Sequence, residues 1–129
     1  MKFTINGKEF DLRFGMLFLQ ELDNRYTMKV QGGMEFSMGM KFAIPYLKAG
    51  NITALWNVLS AALKSHGIKP QQVEKEIERI AEADAEEGTD KLGELFEELL
   101  DEMGKQPLLR KEFSQLEAAE AQVKAEQNA

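Results

Sequence analysis

The stretch Lys2-Phe3-Thr4-Ile5-Asn6-Gly7-Lys8-Glu9-Phe10-Asp11-Leu12 decides how the rest of the chain is read, because it spells a β-hairpin and little except helix follows it. Asn6-Gly7 supplies the two positive-φ residues of a type I′ turn, and apolar residues alternate with polar ones on both sides. A two-residue loop sets Ile5 opposite Lys8 and Phe3 opposite Phe10. Phe3, Ile5, Phe10 and Leu12 then share one face, while Thr4, Glu9 and Asp11 share the other. A two-stranded hairpin is marginal alone in water, so its apolar face must lie on helices of its own chain or on another molecule. Phe14 and the helix after it offer an intrachain partner, which makes the hairpin a lid on a helical domain.

Beyond Leu12 the apolar period changes from two to that of a helix. Phe14, Phe18, Leu22 and Tyr26 stand four apart, with Leu17 and Leu19 widening the stripe. This helix should fade over 23–27, and Gly32-Gly33 should break the chain before the next element. Met34 to Leu47 reads as a helix apolar on two sides, one stripe being Met34, Met38, Phe42 and Tyr46 and the other Phe36, Met40, Ala43, Ile44 and Leu47. Pro45 cannot donate to the Lys41 carbonyl, so a kink or local break is expected there. Asn51 is a good N-cap for a core helix carrying Ile52, Leu55, Trp56, Leu59 and Leu63, which Gly67 stops.

Pro70 opens a surface helix with a thin stripe of Val73, Ile77 and Ile80 among Glu74, Glu76, Glu78 and Glu82. Ala85 to Gly88 should interrupt it, and Thr89 should cap an amphipathic helix carrying Leu92, Leu95, Phe96, Leu99, Leu100 and Met103. Pro107 restarts a last helix through Leu108, Leu109, Phe113 and Leu116. The remainder, rich in Ala, Glu, Gln and Lys, has too little apolar material to dock and should fray. The expected fold is mainly α: an N-terminal antiparallel hairpin on a compact bundle of five or six helices, a single domain over 1–116 and a polar helical or disordered tail over 117–129.

Composition narrows function by exclusion. The chain has 129 residues, no cysteine and a formal net charge of −6. Eight Lys/Arg against five Asp/Glu give residues 1–66 a net +3, whereas eight against seventeen give 67–129 a net −9. With no basic cluster to neutralise phosphates, nucleic acid is not an expected partner. A helix-turn-helix outline over 63–80 fails on the same ground, since its second helix carries three glutamates against two cations. Absence of cysteine removes disulfides, zinc thiolates and thiol nucleophiles, and fits a reducing compartment. No leader precedes the hairpin and no apolar run approaches the roughly 20 residues of a membrane span, so a cytoplasmic location away from membranes is expected.

No catalytic constellation emerges either. His66 is the only imidazole and stands beside a helix-ending glycine, where favouring the last carbonyls is its ordinary role. Glu94, Glu97, Glu98, Asp101 and Glu102 crowd one helical face without the spacing of a calcium loop or a Glu-x-x-His site. Gly32, Gly33 and Gly39 lack the Gly-Lys-Ser/Thr of a phosphate loop. The chain is therefore read as a non-enzyme without metal or cofactor. Methionine clustering is the one feature that suggests binding: unbranched side chains adapt to partners of varied sequence, although they also fill irregular gaps in a core. Met34, Phe36, Met38, Met40 and Phe42 are accordingly the candidate partner-binding residues.

The order of these pieces resembles a known family. The Asn-Gly hairpin ends in Leu12-Arg13-Phe14-Gly15, and a helix with Leu19-Gln20-Glu21-Leu22 and the Gly-Gly-Met-Glu-Phe-Ser-Met-Gly-Met stretch follow. Tyr46-Leu47-Lys48-Ala49-Gly50-Asn51 leads into a Leu-rich helix, and Leu95-Phe96-Glu97-Glu98-Leu99-Leu100 and Pro107-Leu108 come after it. Together they resemble the tail assembly chaperones of long-tailed phages or prophages of Gram-positive bacteria, over 1–116. The resemblance implies a homo-oligomeric, mainly helical protein of the host cytoplasm, not retained in the mature virion. It also implies that the protein binds the tape measure protein, keeps it soluble and helps recruit tail tube protein, with no catalytic residues. The competing class is a regulatory adaptor or tail connector acting through hairpin or helix contacts.

Overall fold

In the computed structural model, which describes residues 1–29, 35–37 and 39–127, the hairpin comes first and a helical body follows. Strands β1 (Lys2–Ile5) and β2 (Lys8–Asp11) pair antiparallel with Phe3 opposite Phe10 and Ile5 opposite Lys8, the register anticipated from the turn. Asn6 and Gly7 have φ of 51° and 81°, as a type I′ turn requires. Phe3, Ile5 and Leu12 are buried, and Phe10 is half-buried against the His66 ring, 5.3 Å between centroids. The hairpin thus closes over the helices, held by a bond from Arg13 N–H to the Ala62 carbonyl.

Helix α1 (Met16–Arg25) buries Phe18 and Leu22, with Phe14 edge-on to Phe18 just before it. The Met34–Leu47 region departs from the expected single helix. Glu35–Ser37 is a strand, β4, antiparallel to β3 (Thr27–Lys29), and helix α2 begins only at Gly39 and ends at Lys48. Apolar residues at 34, 36, 38 and 40 fit a period of two as well as they fit a helix, and the strand period governs Glu35–Ser37. The expected break at Gly32-Gly33 lies outside the described residues. Pro45 does not interrupt α2 either. It forgoes one donor while exposed to solvent, and the Pro45 carbonyl still accepts from Ala49 N–H at 3.0 Å.

Helix α3 (Ile52–Leu63) is the centre of the body, with Ala54, Leu55 and every residue from Val58 to Leu63 buried. Asn51 caps it as expected, its side chain accepting from Ala54 N–H at 2.9 Å. A 3-10 turn over Lys64–His66 precedes Gly67, whose φ of 75° ends the element. His66 Nε2 donates to the Asp11 carbonyl at 2.8 Å, so the imidazole braces the hairpin instead of its own helix end.

Helix α4 (Pro70–Glu87) starts at its proline, where the Gln72 side chain accepts from Lys69 N–H. It runs through Ala85 and stops only at Gly88, φ 68°, correcting the earlier break expected from composition. Helix α5 (Lys91–Lys105) is capped by Asp90, which accepts from Gly93 N–H, and not by Thr89. The Thr89 hydroxyl donates instead to Asp84, and Asp84 also accepts from Lys91 and Leu92 N–H, so one α4 carboxylate organises the corner. Leu95, Phe96, Leu99 and Met103 bury the inner face of α5. Helix α6 (Arg110–Gln127) buries no residue of its own and continues to Gln127 with its second half exposed. Leu109 anchors its start in the core, and Phe113 and Leu116 rest against it.

Candidate partner-binding surface

Of the candidate binding residues, the three that are described fall into three environments. Met34 and Met38 lie outside the described residues. Phe36 stands opposite Met28 in the β3–β4 ladder. Met40, 5% exposed in the first turn of α2, belongs to the core. Phe42 alone is a half-buried side chain on an outer face, and its ring joins those of Tyr26 and Tyr46 in a cluster.

Helix geometry assembles that cluster. Phe42 and Tyr46 are one turn apart on α2, so both project toward the end of α1, where Tyr26 follows Arg25. The centroid separations are 6.4 Å for Tyr26–Phe42, 6.5 Å for Tyr26–Tyr46 and 6.4 Å for Phe42–Tyr46, with the two tyrosines inclined by 24°. Such rings attract through their quadrupoles as well as through buried area. Asn57 on α3 donates to the Tyr26 hydroxyl at 3.3 Å, which fixes the ring from below. Burial pushes the Tyr26 phenol above its ordinary value, and the Asn57 bond partly offsets this. The phenol is therefore neutral at physiological pH, and Tyr46, 47% exposed, presents the accessible edge.

The base of the β3–β4 ribbon is pinned beside this cluster. Asp23 Oδ1 accepts from Gly39 N–H at 3.0 Å, so α2 begins directly against the last turns of α1. A Cβ at residue 39 would lie 2.6 Å from that carboxylate oxygen and 2.9 Å from the Leu22 carbonyl carbon, so glycine is the residue that permits the approach. The tyrosines were legible only as members of helical stripes. The signal that could have singled them out is aromatic character with a polar tip, the kind of side chain that tolerates partial exposure and favours interfaces.

Among the described residues, no group of three or more His, Cys, Asp or Glu could hold a metal ion. No described helix is long and apolar enough to cross a membrane. The surface presents apolar and aromatic side chains.

A family model described as "Phage tail assembly chaperone protein, TAC" matches residues 2–117, from the first strand through the first two turns of α6. No curated protein and no solved structure matches the chain. With all but the extreme ends of the sequence inside the match, the chain belongs to the phage tail assembly chaperone family.

Proposed function

We propose that this chaperone binds the tape measure protein of a long-tailed phage of Gram-positive bacteria, keeps it soluble, and helps bring tail tube subunits to it. It acts in the host cytoplasm and is left out of the finished virion. The observation that carries this reading is the partly exposed Tyr26–Phe42–Tyr46 cluster beside the β3–β4 ribbon, in a chain of the tail assembly chaperone family. A tape measure is expected to be long and helical, and such a client offers repeated apolar side chains to an aromatic ledge. Phe42, together with Met34, Phe36 and Met38, makes the contact; Met40 supports the surface from the core.

Copies associate head to tail, the mildly basic first half of one meeting the acidic α4–α5 faces of the next. Many weak contacts along one client then add through multivalency. The adaptor or connector reading is less well supported, because the apolar face of the first hairpin is consumed by the chain's own core. Co-expression tests the proposal. The tape measure should move from the pellet into the soluble fraction when this protein is present, and an unchanged partition would contradict it.

A further inference from the structure

We infer that the groove between α3 and α4 receives the Met16–Leu17 turn of a second copy of this chain. The inference rests on the head-to-tail association proposed above and names its two surfaces. The groove, about 200 Å³, is lined by Ile52, Thr53, Trp56, Glu74, Ile77 and Glu78. Ile77 is its buried floor, Ile52 is 46% exposed at the rim, and the Trp56 indole is fixed by its donation to the Pro70 carbonyl at 2.8 Å. The groove is therefore preformed, apolar within, and able to take one or two aliphatic side chains. Glu74 and Glu78, one turn apart on α4, stand exposed along one wall, and no ion pair joins either to a cation among the described residues.

The complementary surface is on the same chain. Met16 is 64% and Leu17 42% exposed in the first turn of α1, the largest apolar exposure of any helix start in the described chain. Arg13 precedes them, exposed, with its guanidinium 3.4 Å from the Ser65 hydroxyl, and exposed Lys64 adjoins Ser65. No acidic residue lies between Leu12 and Gln20. On its other side Met16 shares a hollow with Lys41 and Glu112, so Arg13 is the cation next to the Leu17 side of the turn, and an aliphatic turn beside Arg13 matches an aliphatic groove flanked by Glu74 and Glu78. Because the two patches differ, their contact is heterologous, leaves one of each free at the ends, and propagates into an array.

Sedimentation at low and moderate salt tests this with Leu17→Asp and Ile52→Asp, substitutions at exposed sites checked for folding by circular dichroism. The wild type should self-associate, more weakly as salt rises. Each variant alone should lose association by about tenfold or more. Mixed one to one, the intact groove of L17D and the intact turn of I52D should give a complex that stops at two chains. Glu74→Lys with Glu78→Lys, on the exposed wall, should repeat the loss if I52D fails to fold. Self-association undiminished in folded variants would overturn the groove while leaving head-to-tail association standing. A wild type that stays monomeric at low salt would overturn both. Loss of tape measure capture by I52D with self-association intact would assign the groove to the client and overturn the inference.

Discussion

The backbone N–H of Asn6 donates to Glu76 Oε1 at 2.8 Å, tying the tip of the first hairpin to α4 seventy residues away. Arg79 Nη1 holds both oxygens of the same carboxylate, at 2.9 and 3.1 Å. Glu76 is only 7% exposed, so removing its cation leaves a buried carboxylate short of a partner, and removing the carboxylate takes a charged hydrogen-bond partner from both the Asn6 amide and Arg79. The hairpin's two strands are short, and this bond fixes their free end against the helices. Glu76→Ala should therefore lower the unfolding free energy by about 1–3 kcal/mol in urea titrations. Hydrogen exchange should show the Asn6 amide losing protection first.

The α4–α5 corner should respond to acid through Asp84. Its carboxyl is held below the ordinary value of 3.8, first by the Leu92 N–H and then by the Thr89 hydroxyl, with Lys91 adding to both backbone and charge. A depressed folded-state value means the contribution is fully present above the unfolded value and is lost as pH falls through the folded one. Stability measured from pH 5 downward should fall more steeply in the wild type than in Asp84→Asn, which lacks the titrating group. Parallel profiles would contradict this role.

Gly39→Ala should be damaging despite glycine's low helix propensity. The added methyl group meets Asp23 N at 2.8 Å as well as its carboxylate, and backbone there cannot yield as a long side chain would. A loss of about 1–3 kcal/mol is expected in thermal or urea unfolding. A gain in stability would mean that α1 and α2 do not approach each other here.

Ser60 should behave in the opposite sense. Its hydroxyl is buried in α3 and has no hydrogen-bond partner among the described residues. Ser60→Ala removes an unsatisfied group and adds helix propensity, so urea unfolding should find it neutral or more stable by up to about 1 kcal/mol.

These sites also mark how far local sequence reaches. The Asn6-Gly7 turn specified the hairpin and its register because turn chemistry and alternation act over a few residues, and the cap at Asn51 and the helix start at Pro70 followed for the same reason. Glu76 looked like one more solvated glutamate between Glu74 and Glu78, and only the packing of β1 on α4 singles it out. Asp84 caps a neighbouring helix across the Gly88 corner, a relation set by helix geometry. The β3–β4 ribbon was hidden because its apolar residues satisfy two periods at once. Of the aromatic cluster, Phe42 was already a candidate from composition, while Tyr26 joined it only when α1 and α2 were brought together.

Variants of the aromatic ledge test directly whether it holds the tape measure protein. Phe42→Glu and Tyr46→Glu, each shown to be folded, should be co-expressed with the tape measure of the same phage and the complex captured through a tag on the chaperone. The amount of tape measure recovered should fall about tenfold or more with each variant, as for aromatic anchors at an interface. Recovery equal to wild type with both folded variants would show that the ledge does not hold the tape measure protein.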